Sequence, residues 1–198
     1  MEENIYFESN RLNLEGIVKK GNTGHGIVIS HPHPQFGGSM HNNVIDTINN
    51  VYSKKGYTTL RFNFRGTGAS EGTYDNGIGE REDVKGAVDF LMDLGISEIA
   101  LAGYSFGAWV NAHAISLCSD IKEMIMVSPP VGSMDFSSIA GIDQLKLVVC
   151  GSHDQFAPAD QIRDIVPKWN SETKIEIIDN ADHFFMGYEE KLESVLSI

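Results

Sequence analysis

A serine in a glycine-bounded turn, an aspartate and a histidine, met in that order along the chain, are the residue types that could together break an acyl bond. The serine is Ser105 in Gly103-Tyr104-Ser105-Phe106-Gly107. It follows the apolar run Ile99-Ala100-Leu101-Ala102 and precedes a stretch of helical composition from Ala108 to Leu117. This is G-x-S-x-G in the context it requires, a strand, a sharp turn and a helix. In so tight a turn, side chains at Gly103 and Gly107 would collide with their neighbours. The turn presents Ser105 Oγ at a helix N-terminus, where backbone N–H groups and the helix dipole favour a developing oxyanion. The alternative is a glycine-rich strand-to-helix turn with a capping serine, and the flanking strand and helix argue against it.

A serine hydroxyl is a poor nucleophile until a neighbouring base takes its proton. Two later residues fit the base and the carboxylate that orients it. Asp154 lies in Cys150-Gly151-Ser152-His153-Asp154, just after the apolar run Leu145–Val149. His183 lies in Ala181-Asp182-His183-Phe184-Phe185, just after the run Lys174–Ile178. In an open α/β sheet, loops at the carboxyl ends of strands converge on one crevice, so these three positions are expected to meet. Asp160, Asp179 and Asp182 compete with Asp154 for the acidic role. Asp182 is adjacent to His183 in sequence and poorly placed to face its ring, and Asp160 reads as a first-turn helix acid.

An acyl-transfer site also needs two donors for the oxyanion. One is expected from Phe106 N–H, directly after the nucleophile, and the other from a loop after an earlier strand. That loop reads His31-Pro32-His33-Pro34-Gln35-Phe36-Gly37-Gly38. Proline has no N–H, which leaves His33, Gln35, Phe36 and Gly37, with His33 favoured and Gln35 next. His31 and His33 also form a His-x-His pair of the kind that binds metals. The further acidic and histidine ligands are missing from the loop, so no metal and no cofactor are expected. A second glycine-rich stretch, Arg61–Gly72, lacks GxxxxGK and does not open a helix; it is expected to be a structural turn packed beside the site. Phe36, Phe106, Phe156, Phe184, Phe185 and Met186 are candidates to line an apolar acyl pocket, some of them as core.

The elements that must position these residues alternate between strand and helix. Strands are predicted at Ile27–Ser30, Tyr57–Phe62, Ile99–Gly103, Met124–Ser128, Leu145–Gly151 and Lys174–Ile178. Helical spacing falls at His41–Lys55, Glu80–Leu94, Phe106–Cys118, Ala159–Trp169 and Glu189–Leu196. Short β-branched runs such as Leu147-Val148-Val149-Cys150 suit strands buried on both faces of a parallel sheet. The expected class is α/β: one doubly wound, mostly parallel sheet with helices on both faces. The segment before residue 20 reads as an antiparallel hairpin at its edge. Residues 3–9 look like a protease-site tag with two substitutions, yet they run smoothly into Leu12–Gly16, as a first hairpin would. Pro129–Asp143 is the one long irregular stretch and is too short for a lid domain.

At 198 residues, the chain suits one domain (1–198) and can bury roughly 70% of its unfolded surface. Apolar residues make up 41% and charged residues 21%, ordinary values for a globular protein. The formal charge of −12 argues against nucleic-acid and polybasic membrane partners. The two cysteines, Cys118 and Cys150, sit in apolar surroundings and read as buried free thiols. With an acidic Met1-Glu2-Glu3 start and no long apolar run, the expected compartment is the cytoplasm.

The chain resembles the α/β-hydrolases, and within them the small, lidless bacterial serine hydrolases related to dienelactone hydrolase. HPHPQFGGSMHN at 31–42, FNFRGTGASEG at 62–72, GYSFG at 103–107, GSHDQFAP at 151–158 and ADHFF at 181–185 carry the likeness. It implies Ser105 as nucleophile, Asp154 as orienter, His183 as base, and oxyanion donors at Phe106 and the HPHP loop. Dienelactone hydrolases proper have a cysteine nucleophile where this chain has Ser105. The expected activity is cleavage of carboxylic esters or thioesters of small acyl substrates. A peptidase or amidase on the same residues, and a non-catalytic binding protein on the same fold, are the rival readings.

Overall fold

A computed structural model describes residues 1–118 and 120–197 of the chain. Its centre is an eight-stranded sheet in the order β1-β2-β4-β3-β5-β6-β7-β8. β1 (Glu2–Ser9) and β2 (Leu12–Lys19) form an antiparallel hairpin whose two-residue turn puts Asn10 and Arg11 at positive φ, as a type I′ turn requires. β2 then pairs antiparallel with β4 (Thr58–Phe62). From β4 onward every pairing is parallel, through β3 (His25–Ser30), β5 (Glu98–Tyr104), β6 (Ile121–Val127), β7 (Leu145–Gly151) and β8 (Lys174–Ile178). The tag-like residues 3–9 are thus an edge strand of the fold.

Alternating side chains divide the core into two layers. Val28, Leu101, Met124, Met126 and Val148 pack under α2 (Gly79–Asp93), α3 (Phe106–Ala114) and α4 (Ala159–Trp169). Ile27, Ile29, Ala102, Ile125 and Val149 pack under α1 (Asn43–Lys54) and α5 (Glu189–Leu196). Strands buried on both faces are the arrangement expected of a parallel sheet wound in both directions. Cys118 and Cys150 are buried and free, and among the described residues no helix is long and apolar enough to cross a membrane.

The predicted bounds of β7, β8, α4 and α5 coincide with those observed. Elsewhere local chemistry shifts them. The first helix begins at Asn43, not His41, because the Asn42 side chain accepts from Val44 N–H and caps it. The helix from Phe106 ends at Ala114 and tightens into a 3-10 turn, Ile115–Leu117, where a β-branched residue and a serine favour the α-helix less. β6 stops at Val127, because Ser128 leaves the strand with φ 47° while its N–H donates to Val149 O.

Candidate active site

All the loops that matter lie at the carboxyl end of the parallel strands. Ser105 sits between β5 and α3 with φ 54° and ψ −118°, a sparsely populated backbone state held by its N–H on Val127 O at 2.9 Å. The two flanking glycines permit it. A Cβ on Gly107 would lie 2.2 Å from Ser30 O, and one on Gly103 would lie 2.5 Å from Ala108 N. Helix α3 therefore starts hard against the end of β3.

Ser105, His183 and Asp154 meet, each less than a tenth exposed. His183 Nε2 is 2.9 Å from Ser105 Oγ, and His183 Nδ1 is 2.9 Å from both Asp154 carboxylate oxygens. A carboxylate can only accept, so Nδ1 carries the proton and the bare Nε2 accepts from the serine hydroxyl. Asp154 Oδ1 also accepts from Phe156 N–H at 2.9 Å and Ala157 N–H at 2.8 Å, which fixes the carboxylate plane. Burial alone would raise the Asp154 pKa. The hydrogen bond and charge of His183, with the Ala157 N–H, outweigh burial and hold it below its ordinary value.

The other aspartates have local duties. Asp160 lies in the first turn of α4, Asp182 accepts from Phe184 N–H, and Asp179 accepts from Ser152 Oγ and the Asn180 side chain. On the HPHP loop, Gln35 N–H donates to His33 Nδ1, Phe36 N–H to His33 O and Gly37 N–H to Pro34 O. Among the described residues, His33 N–H and Phe106 N–H have no protein acceptor. The two residues touch through their rings, with centroids 4.8 Å apart.

His31 is fully buried, its Nδ1–H donating to Pro32 O at 2.6 Å and its Nε2 accepting from Phe64 N–H at 3.0 Å. Both nitrogens of the possible ligand are thus engaged within the fold. Among the described residues no group of three His, Cys, Asp or Glu is brought together in a way that could hold a metal. The bond from Phe64 also locks the 62–72 turn beside the HPHP loop. That turn is anchored on its far side by the buried ion pair of Arg65 and Asp83, 2.7 Å apart.

The hydrophobic candidates divide. The Phe106 and Phe185 side chains belong to the core, at 1% and 0% exposure; Phe106 packs on Phe64 and Trp109, and Phe185 on Tyr104. Phe36, Phe156, Phe184 and Met186 are open to solvent. The rings of Phe156 and Phe184 flank His183 at 4.8 and 5.6 Å, and Phe36 stands on His33 at 4.7 Å.

Three supporting residues were not visible from sequence. Tyr104 Oη donates to His183 O at 2.8 Å, tying the residue before Ser105 to the histidine loop. Asn43 Nδ2 donates to Phe184 O and Glu189 Oε1, holding the other side of that loop. Tyr74 reaches His33. Only the position of Tyr104 within the G-x-S-x-G turn could have flagged it.

The chain is 33% identical over 205 residues to the uncharacterized protein RP471 of Rickettsia prowazekii, spanning 98% of this chain and 86% of that one. An α/β serine hydrolase homologue from Coxiella burnetii superposes with a TM-score of 0.92 at 33% identity, covering 98% and 95% of the two chains. XC6422 of Xanthomonas campestris, described as an α/β serine hydrolase without a lid, superposes at 0.90 with 26% identity over 98% and 91%. No family model matches the sequence. The chain belongs to the α/β serine hydrolases, and its class of activity is hydrolysis.

Proposed function

We propose that the chain is a single-domain serine hydrolase that cleaves carboxylic esters or thioesters of small acyl substrates through an acyl-enzyme. The observation that carries this reading is the unbroken chain of hydrogen bonds, each 2.9 Å, from Ser105 Oγ through His183 to Asp154. His183 Nε2 takes the hydroxyl proton as Ser105 Oγ bonds to the carbonyl carbon. The carbonyl π electrons move onto oxygen, where Phe106 N–H and His33 N–H receive them. Gln35 is the weaker of the two loop candidates because its N–H is already directed at His33 Nδ1.

Asp154 stabilises the imidazolium and keeps the Nδ1–H tautomer. The imidazolium then protonates the departing alkoxide or thiolate, leaving Ser105 acylated. Water repeats the sequence, giving its proton to Nε2 and releasing the carboxylic acid. The solvent-open apolar edges of Phe36, Phe156, Phe184 and Met186 suit an acyl or alcohol group lying across the site. Small neutral esters are the substrate class they favour.

Turnover of nitrophenyl esters, acyl thioesters and aminoacyl anilides, compared side by side, tests the reading. Esters or thioesters are expected to exceed anilides by at least about 100-fold in kcat/KM, roughly 2.7 kcal/mol of transition-state discrimination. Anilides turned over as well as esters would make the chain an amidase. No turnover of any of the three would overturn the proposal.

A further inference from the structure

The HPHP loop holds a side-chain arrangement that the proposed reaction does not use. His33 caps the short turn Pro34–Phe36, its Nδ1 accepting from Gln35 N–H at 3.3 Å. A nitrogen that accepts carries no proton, so the neutral ring bears its proton on Nε2. That nitrogen lies 3.1 Å from Tyr74 Oη and donates to it. Among the described residues the Tyr74 hydroxyl has no other partner. Burial lowers the His33 pKa, which favours the neutral ring this geometry needs.

Three aromatic rings hold the imidazole from the sides. Phe36, Phe106 and Tyr74 stand 4.7, 4.8 and 5.1 Å from it, centroid to centroid, and Tyr74 and Phe106 are themselves 5.9 Å apart. Phe106 carries the other proposed donor. The two residues whose N–H groups would flank an oxyanion are therefore packed ring to ring, and Tyr74 closes the triangle. Tyr74 comes from the loop after β4, which the bond from Phe64 N–H to His31 Nε2 secures from a second direction. One loop thus holds the HPHP segment at two histidines, His31 through the main chain and His33 through a side chain.

We infer that Tyr74 is a positioning residue for acyl transfer: by accepting from His33 Nε2–H, it holds His33 N–H at the spacing from Phe106 N–H that an oxyanion requires. The inference rests on the serine-hydrolase reading. Donor placement matters only when the carbonyl becomes tetrahedral, so loosening it raises the barrier without weakening ground-state binding. Losing one oxyanion donor costs roughly 10²- to 10³-fold in kcat. Tyr74→Phe leaves the donor in place but unbraced, and is expected to cost about tenfold.

The test measures kcat and KM on nitrophenyl butyrate for wild type, Tyr74→Phe, His33→Ala and the double variant. Tyr74→Phe keeps every ring contact and should lower kcat about tenfold with KM unchanged within about twofold. His33→Ala keeps the N–H but loses the brace, so adding Tyr74→Phe to it should cost nothing further. A loss confined to kcat, with KM unmoved and no second effect in the double variant, is something a merely structural tyrosine would not produce. Fluorophosphonate labelling of Ser105 in wild type separates the two ways of failing. Without labelling, the serine-hydrolase reading falls and the inference with it. With labelling, either an unchanged kcat in Tyr74→Phe or a second tenfold loss in the double variant overturns the positioning role alone.

Discussion

Replacing Asp154 by asparagine changes one atom of the proposed site, and the structure dictates which one. Asp154 Oδ1 accepts from two main-chain donors, Phe156 N–H and Ala157 N–H, as well as from His183 Nδ1. An amide nitrogen at that position would face two N–H groups, so the asparagine oxygen must take the Oδ1 place. Its NH2 then occupies the Oδ2 place, 2.9 Å from His183 Nδ1. A donor there demands a bare Nδ1, so the imidazole proton moves to Nε2, the atom that faces Ser105. In that tautomer the ring cannot take the serine proton, and the imidazolium loses its counter-charge. The expected fall in kcat is on the order of 10⁴-fold, about 5.4 kcal/mol of transition-state stabilisation. The main-chain bonds survive, so the denaturation midpoint should stay near wild type. Asp154→Ala would instead strand the buried Ala157 N–H and cost about 1–3 kcal/mol of stability. Steady-state kcat on a nitrophenyl ester, with urea denaturation alongside, makes the measurement; Asp160→Asn and Asp182→Asn serve as comparisons. Asp154→Asn within tenfold of wild type, with either comparison collapsing, would refute the reasoning.

Two further outcomes follow from buried groups. Burial lowers the His31 pKa from its ordinary 6.5 to about 4, so between those values the unfolded chain binds a proton that the folded chain refuses. Stability should therefore fall as pH drops through that window, by about 2 kcal/mol from pH 7 to pH 5. Asp154, with its pKa below the usual carboxylate range, loses its contribution only at lower pH. Urea denaturation at the two pH values checks this, and a His31→Gln variant that keeps the full slope would assign it elsewhere. Gly107→Ala places a Cβ 2.2 Å from the backbone oxygen of Ser30, where no side chain can yield. A loss of about 3 kcal/mol or more in stability, with a depressed kcat, is expected; an unchanged melting temperature would show that α3 does not start against β3.

The parts of the site that sequence made legible are those governed by strand ends. Ser105, Asp154 and His183 each lie within five residues of the carboxyl end of a strand, and parallel strands bring such positions to one edge whatever their register. The bounds of β7 and β8 were clear because turn residues close their apolar runs. The first three residues of β6 are hidden in the sequence, because the exposed Lys122 and half-buried Glu123 interrupt its apolar run. What escaped was contact between distant side chains. Tyr104 and His183 lie 79 residues apart, Asn43 and Phe184 141 apart, and Tyr74 and His33 41 apart. No periodicity records where a tyrosine hydroxyl will point. The six pocket candidates failed to separate for the same reason. Phe184 and Phe185 are neighbours in sequence, yet φ 54° at Phe185 helps turn one ring into the core while the other stays in solvent.

The central claim is that Ser105 is a nucleophile activated by His183, and a fluorophosphonate probe addresses that chemistry most directly. Phosphonylation requires the serine oxygen to displace fluoride while a base removes its proton, the same demands that an ester makes. Incubation with a stoichiometric probe, followed by peptide mapping with mass spectrometry, should show a single adduct on the peptide containing Ser105. Ser105→Ala and His183→Ala should abolish it, with kcat on a nitrophenyl ester falling by roughly 10⁴-fold or more in both. An unlabelled wild type, an adduct on another residue, or esterase activity within tenfold of wild type in Ser105→Ala would contradict the account.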